Sequence, residues 1–278
     1  MKTPKCFESL VYNGFVDDVV CRLMSGKEAD VYIVRCKGEI RCAKVYKEAA
    51  KRSFSQQAQY QEGRKGRNTR QARAMAKNTS YGRKELEGAW QNAEVDALRR
   101  LADAGVRVPQ IYNYIEGVLL MELVQGADGD AAPRLNDLKL TPEQAREYHG
   151  EMIAHIVRML CAGLVHGDLS EYNVLVGSEG LVIIDLPQAV DAAGNNNAPR
   201  MLERDVNNMT VYFGRFAPEL LGSEYGKEIW KLYAGGKLTP DAKLTGRFEQ
   251  STKQADVHGV MREIESARRW HERQMLKT

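Results

Sequence analysis

The sequence predicts an α+β fold of two lobes, with a small antiparallel sheet and one helix in the N-terminal lobe and mainly helices in the second. Three observations lead to this prediction. Short segments in which apolar and polar residues alternate come first along the chain and are separated by tight turns. A connection rich in Gly, Asp, Ala and Pro then runs to Arg134, and helical periodicity predominates beyond it. The 278 residues are enough to bury a core in each lobe.

The first lobe is predicted to contain five strands and one helix. The segments that predict the strands are 18–23, 29–36, 40–46, 110–115 and 118–123. Lys37 and Gly38 form a turn between two of them. From Trp90 to Ala104 apolar residues recur at helical spacing, and Gly105 stands where a helix would end. We therefore expect an antiparallel sheet with a helix inserted between its third and fourth strands.

The second lobe begins with a well-marked helix. Thr141 is a favourable N-cap and Pro142 suits the first helical position, and the helix is expected to run to about Ala162. Two short strands, 174–176 and 181–184, follow it and are joined by a Gly-Ser-Glu-Gly turn. The predicted domains are an N-terminal lobe at 1–123, a C-terminal lobe at 124–225 and a helical tail at 226–278.

Composition gives no sign of a nucleic-acid-binding, disulfide-rich, zinc-binding, membrane or secreted protein. The formal net charge of +3 is too small to indicate nucleic-acid or membrane binding by itself. The five cysteines are odd in number and show no Cys-x-x-Cys spacing, so neither a disulfide framework nor a zinc site is predicted. No apolar run approaches the roughly 20 residues of a membrane helix, and the N-terminus lacks the apolar core of a signal peptide. We expect a cytoplasmic protein that does not bind membranes.

The stretch 51–84 is the exception to this balanced charge. It contains one acid, Glu62, and ten basic residues: Lys51, Arg52, Arg64, Lys65, Arg67, Arg70, Arg73, Lys77, Arg83 and Lys84. Without a clear apolar period it predicts a mobile insert. A solvated loop that only aids solubility is one interpretation. The local excess of positive charge, interleaved with aromatic residues, favours a contact with the phosphates of RNA.

Three polar residues are expected to meet at one end of the strand pair in the second lobe. Asp168 precedes the first strand, Asn173 stands at its start, and Asp185 follows the second strand. Phosphoryl transfer needs such a set, because one carboxylate orients the attacking hydroxyl while oxygen ligands hold Mg²⁺ on a triphosphate. Each residue alone is more typical of a turn or a helix cap. Together, at this spacing, they favour a catalytic site.

The motif His-Gly-Asp-Leu-Ser-Glu-Tyr-Asn at 166–173, with Asp185 behind it, resembles the RIO family of atypical serine/threonine protein kinases. The resemblance is to the prokaryotic type, which lacks an N-terminal winged-helix domain. It extends to the loop at 24–32, to the strand around Lys44 and to the segment 202–208. The resemblance implies a protein-kinase-like fold that binds ATP with Mg²⁺, or with Mn²⁺ in its place, between the lobes.

The resemblance also implies roles for residues outside the motif. Lys44 would hold the α- and β-phosphates, and Glu94 would orient Lys44 through an ion pair. The loop with Ser25 and Lys27 would cover the phosphates, although a plain β-turn is the commoner meaning of such a loop. The backbone of Glu122 and Val124 would pair with the adenine edge. Together these residues would complete the ATP site around the three polar residues of the second lobe.

Departures from ordinary protein kinases suggest how the protein acts. His166-Gly-Asp has no arginine to pair with a phosphorylated activation loop. The segment 189–201 is too short for a typical peptide platform, and in the family this goes with autophosphorylation and ATPase-like cycling. The resemblance further implies that Asp185 itself can accept the phosphoryl group.

The sequence leads us to expect an enzyme that transfers the γ-phosphoryl group of ATP to a protein serine, including its own, with Asp168 as base. A link to ribosome maturation is implied by the family. Two alternatives stay open. Aminoglycoside and choline kinases carry a similar His-Gly-Asp and Asn arrangement, and a nucleotide-gated module could bind RNA or a ribosome precursor through the basic insert.

Overall fold

The computed structural model describes residues 3–26, 29–47 and 93–248. Its N-terminal part starts with helix α1 (Lys5–Tyr12) and contains an antiparallel sheet with the strand order β1-β2-β3-β5-β4. The strands are β1 (Asp18–Ser25), β2 (Ala29–Cys36), β3 (Glu39–Tyr46), β4 (Ile111–Ile115) and β5 (Val118–Met121). A second helix, α2, comes between β3 and β4, and its described part spans 93–103.

One face of this sheet is covered by α1. The helix buries Phe7 and Leu10, and the Phe7 ring meets the ring of Tyr32 edge-on at 5.1 Å between centroids. Residues of alternate strand positions complete this small core: Val34, Ala43, Val118 and Leu120. Side chains of a strand alternate between its two faces, so the intervening residues point to the other side. The opposite face therefore carries Lys44, and Leu119 beside it packs into the larger core.

Within the described residues, the C-terminal part is built on three α-helices, α3 (Pro142–Cys161), α4 (Ala198–Gly214) and α5 (Tyr225–Ala234). A capping box starts α3: the Gln144 N–H donates to Thr141 Oγ1 and the Thr141 N–H donates to Gln144 Oε1. Two short antiparallel pairs accompany these helices. They are β6 (Leu164–Val165) with β9 (Val190–Asp191), and β7 (Val174–Gly177) with β8 (Gly180–Ile183). The loop that carries Asp168 lies between β6 and β7.

The predicted α+β fold, with an antiparallel sheet followed by a helical part, is confirmed. The strand expected at 118–123 is shorter, because β5 ends at Met121 and the chain then leaves the sheet.

Helix α1 and the β6–β9 pair were not predicted, since both are too short for a clear period. The insert at 51–84 and most of the tail at 226–278 lie outside the described residues, and the domain boundaries stay predictions. No helix in the described part is long and apolar enough to cross a membrane.

Candidate active site

Lys44 connects the sheet, helix α2 and the C-terminal part through two ion pairs. Its Nζ lies 2.6 Å from Glu94 Oε1 and 2.8 Å from Asp185 Oδ1. The residue is only 9% exposed, and Glu94 only 2%. Burial lowers the pKa of Lys44, but the two carboxylates outweigh it and raise the pKa above its ordinary value. Lys44 is therefore held as a cation, in the pairing with Glu94 that the sequence led us to expect.

Tyr46 is a third member of this group, and it was not among the residues predicted from the sequence. Its hydroxyl donates a 2.6 Å hydrogen bond to Glu94 Oε2, so each oxygen of that carboxylate has a donor. Burial raises the pKa of Tyr46, and the nearby Glu94 charge raises it further. The signal that could have found it is its position two residues after Lys44, on the same face of β3.

Replacing Tyr46 with Phe should lower the free energy of unfolding by about 1 kcal/mol or more, because a buried carboxylate oxygen loses its donor. We also expect turnover to fall several-fold as Glu94 and Lys44 become less well ordered. Urea unfolding and initial rates measure the two effects. Tyr12→Phe is the matched control, since Tyr12 is 90% exposed. If Tyr46→Phe keeps the wild-type stability and rate, the hydroxyl of Tyr46 does not help to position Glu94 and Lys44.

The loop that carries Asp168 is fixed from behind by helix α4. The Asp205 carboxylate accepts hydrogen bonds from the N–H groups of Gly167, at 2.7 Å, and Leu169, at 3.1 Å. The Asn208 side-chain amide donates to the carbonyl of Leu169 at 3.1 Å. Backbone on both sides of Asp168 is thus held. The family resemblance implies that a helix starts at 202–208. It could not predict that Asp205 and Asn208 of this helix bond the backbone of the Asp168 loop.

The carboxyl groups of Asp168 and Asp205 both have raised pKa values. Desolvation raises the pKa of Asp168, although the positive charge of Arg204 opposes the shift. Burial raises the pKa of Asp205 to about 7, against the effect of the two N–H donors. A carboxylate whose pKa lies above the ordinary Asp value is a better proton acceptor, which suits Asp168 for work on a hydroxyl.

Asn173 and Asp185 lie at the same end of the β7–β8 pair, where the sequence led us to expect them. The Asn173 carbonyl accepts from the N–H of Ile184 at 3.0 Å, and its side-chain amide donates to the carbonyl of Asp168 at 2.9 Å. Asp185 follows with a left-handed φ of 64°, which is uncommon for a non-glycine residue. Three candidate residues thereby share one small region, with Lys44 reaching it from the sheet.

The charge state of Asp185 is set by its surroundings. Burial alone would raise the pKa of its carboxyl, but the ion pair with Lys44 and the more distant charges of His166 and Arg134 lower it. Asp185 is therefore an anion in this site. His166 contributes a structural contact as well, with its Nε2 3.1 Å from the carbonyl of Ile184.

The donor set of Asn173 and Asp185 fits a hard divalent cation. One carboxylate and one amide oxygen are ligands that Mg²⁺ prefers, and Mg²⁺ in nucleotide sites takes few protein ligands because phosphates and water supply the others. No cluster of three or more His, Cys, Asp or Glu suited to a metal occurs among the described residues. Asn173 and Asp185 are thus the described residues that could hold a metal shared with a bound nucleotide.

The β1–β2 turn predicted to cover the phosphates is only partly described. Ser25 Oγ donates to Asp30 Oδ1 at 2.5 Å, and Lys47 Nζ donates to the carbonyl of Gly26 at 2.6 Å. Lys47 Nζ also lies 3.1 Å from Asp30 Oδ1. Ser25 is thus tethered at the base of the turn, while Lys27 lies outside the described residues.

The strand exit at Glu122 and Val124 has two backbone groups available for a ligand. The N–H of Glu122 donates to the carbonyl of Gln110, and the carbonyl of Val124 accepts from the N–H of Ala132. Within the described residues, the carbonyl of Glu122 and the N–H of Val124 have no hydrogen bond. One acceptor and one donor, two residues apart on one strand exit, match the edge of an adenine. The side chain of Glu122 is engaged elsewhere, because both its oxygens accept from Arg107.

The known proteins that this chain resembles in sequence are RIO kinases. A model of the RIO domain matches residues 30–225. The RIO-type serine/threonine-protein kinase Rio1 of Haloferax volcanii is 35% identical over 208 residues, which are 74% of this chain and 67% of that protein. The serine/threonine-protein kinase RIO1 of Homo sapiens is 31% identical over 212 residues, which are 74% of this chain and 35% of the human protein. The chain thus spans well under half of the human relative.

A solved structure with the same fold is the Rio2 kinase-ADP/Mg²⁺-phosphoaspartate complex from Chaetomium thermophilum. Its TM-score with this chain is 0.53 at 23% identity, and the match covers 76% of this chain and 59% of the other. At this identity the likeness concerns the fold alone.

Proposed function

Because the chain belongs to the RIO family of serine/threonine protein kinases, we propose that it transfers the γ-phosphoryl group of ATP to a serine or threonine hydroxyl. One observation carries the proposal. Lys44 forms ion pairs with both buried Glu94 and Asp185, close to the loop of Asp168. This arrangement supports the proposal, because phosphoryl transfer requires a phosphate-binding cation and a base at the same site.

Each residue has a distinct task in this reaction. Lys44 binds the phosphates of ATP, and Glu94 with Tyr46 fixes the direction of its ammonium group. Asp168 accepts a hydrogen bond from the attacking hydroxyl, orients its oxygen toward the γ-phosphorus and takes its proton. The carbonyl of Glu122 and the N–H of Val124 bind the adenine edge. The loop of Asp168 does not need to move, since Asp205 already holds it from both sides.

Asn173 and Asp185 are the residues that would hold Mg²⁺. When bound, the metal supplies positive charge against the phosphates as negative charge develops there. Mn²⁺ has the same preference for oxygen ligands and would use the same two residues.

The short connection from Asp185 to α4 supports autophosphorylation and ATPase-like cycling over action on long peptides. Between Asp185 and the start of α4 at Ala198 the chain forms only the two-residue strand β9 and turns. A protein substrate has little surface there along which to extend. Incubation with γ-labelled ATP and Mg²⁺ should label the protein itself and release labelled phosphate. Transfer to an aminoglycoside or choline without protein labelling would favour the small-molecule alternative.

We further expect that Asp185 can accept the phosphoryl group. Its carboxylate oxygen would attack the γ-phosphorus, the bond to the ADP oxygen would break, and an acyl phosphate would remain until water hydrolysed it. The Rio2 kinase of Chaetomium thermophilum was solved as a phosphoaspartate complex. Labelled protein should then lose its label in neutral hydroxylamine, with mass spectrometry placing a hydroxamate at 185. Label that resists hydroxylamine and maps only to Ser or Thr would contradict the aspartyl route and leave the kinase function intact.

The remaining expectations are proposals from the sequence and the family. A contact with RNA or a ribosome precursor would use the basic insert at 51–84, which lies outside the described residues. A role in ribosome maturation and a cytoplasmic location are likewise proposed from the family resemblance.

A further inference from the structure

Arg134 bridges the C-terminal part and the sheet next to the proposed ATP site. Its backbone forms an antiparallel bridge with Leu175 on β7, two residues beyond Asn173. Its guanidinium Nη2 lies 2.8 Å from the sulfur of Met24 on β1. The two residues are 110 positions apart in sequence, so this contact depends wholly on how the two parts pack.

Met24 and Lys44 belong to one row of paired residues across the sheet. Met24 pairs with Val31, and Val31 pairs with Lys44. Directly paired residues of antiparallel strands project from the same face. Neighbouring strands are about 4.8 Å apart, so two spacings place Met24 roughly 10 Å from Lys44. Arg134 is therefore anchored at one end of the row whose other end carries the cation proposed to hold the phosphates.

The guanidinium of Arg134 is poorly matched by its partner. Arg has five N–H donors, whereas a thioether is a weak and uncharged acceptor. In the part of the chain that the structure describes, the Met24 sulfur is the one hydrogen-bond acceptor of this side chain, and no carboxylate pairs with it. Arg107 shows the contrast, because both oxygens of Glu122 accept its N–H groups. A half-buried guanidinium with such a weak partner is suited to bind an anion.

We propose that Arg134 is a second phosphate-binding cation of this site, which exchanges the sulfur of Met24 for phosphate oxygens of the bound nucleotide. The inference rests on the proposed function, since it assumes that ATP binds beside Lys44. Phosphate oxygens accept charge-assisted hydrogen bonds in the fork geometry of a guanidinium, and a thioether cannot match them. Lys44 and Arg134 then contact the nucleotide from the two ends of the row.

Affinities for adenosine, ADP and ATP, measured by calorimetry with Mg²⁺ present, test this role. Arg134→Gln should weaken ATP binding about tenfold and ADP binding several-fold, while adenosine affinity stays within about twofold. Arg134→Lys keeps the charge but loses the fork, and we expect about a threefold loss for ATP. Met24→Leu should raise ATP affinity slightly, because it removes only the partner that competes for Arg134 in the nucleotide-free protein. Arg146→Gln, which removes a surface arginine paired with Glu219, is the matched control.

The outcomes separate this inference from the function on which it rests. Wild-type protein that binds no ATP would overturn the proposed function itself. Wild-type protein that binds ATP, with Arg134→Gln unchanged or equally weakened toward adenosine and ATP, would overturn only the role of Arg134. Should the Gln variant melt before the assay temperature, the Lys variant supports the same comparison, with a selective loss for ATP expected.

Discussion

Replacing Asp168 with Asn should slow phosphoryl transfer by roughly 100- to 10,000-fold, the range that general acid–base groups contribute. ATP affinity should stay within a few-fold of the wild-type value, because the base acts on the attacking hydroxyl and not on bound ATP. The loop itself should keep its place, since Asp205 holds Gly167 and Leu169 and not the side chain of Asp168. Single-turnover labelling and calorimetry measure the rate and the affinity separately.

The pH dependence gives this prediction a second readout. The pKa of Asp168 is raised by desolvation, so the ionised base is present above that pKa and is lost as the pH falls through it. The wild-type rate should therefore decline with falling pH before an ordinary Asp would be protonated. The part of the decline that comes from Asp168 should be absent in Asp168→Asn, whereas Asp205, with a pKa of about 7, still titrates in that variant. Asp103→Asn on the exposed side of α2 is the control. A near-normal rate in Asp168→Asn would remove Asp168 from the mechanism.

Replacing Lys44 with Met should abolish measurable ATP binding and turnover together, because the phosphates lose their buried cation. The same change should destabilise the fold by about 3 kcal/mol, since it removes one partner of a buried ion pair. Among the described residues, Glu94 would then be left with the Tyr46 hydroxyl alone. Chemical denaturation measures the stability, and calorimetry the binding.

A double variant separates the two effects of Lys44. Lys44→Met combined with Glu94→Gln removes both charges, so most of the lost stability should return while ATP binding stays absent. Glu94→Gln alone, which keeps the lysine, should retain part of the ATP affinity. Unchanged ATP affinity in Lys44→Met would contradict its place in the site. Failure of the double variant to regain stability would show that packing of the lysine stem, and not the unpaired carboxylate, dominates the loss.

The strands and helices of this protein follow largely from local sequence. Alternation predicts β2 to the residue, and the Thr141 cap and Pro142 mark the start of α3. Helix α1 shows the limit of such patterns, because it is a helix of eight residues whose stability comes from packing Phe7 and Leu10 on the sheet. The insert at 51–84 lies outside the described residues and stays a prediction.

Some residues of the candidate site could be identified from local sequence, and others only from the family resemblance. Asp168, Asn173 and Asp185 could be identified from sequence because they lie within one short stretch around two predicted strands. Lys44 and Glu94 were identified from the family resemblance. Asp168→Asn and Lys44→Met test the roles proposed for two of these residues.

Local patterns in the chain are enough to predict most of its strands and helices and the candidate residues that stand close together in sequence. Three contacts could be found only in the tertiary structure. Tyr46 and Lys44 both bond Glu94, and Asp205 holds the backbone on both sides of Asp168. Arg134 contacts Met24. The difference lies in the range of the forces concerned. Alternation and capping arise between near neighbours and leave a pattern in the sequence. These hydrogen bonds join residues 36 to 110 positions apart and form only once distant segments of the chain have packed.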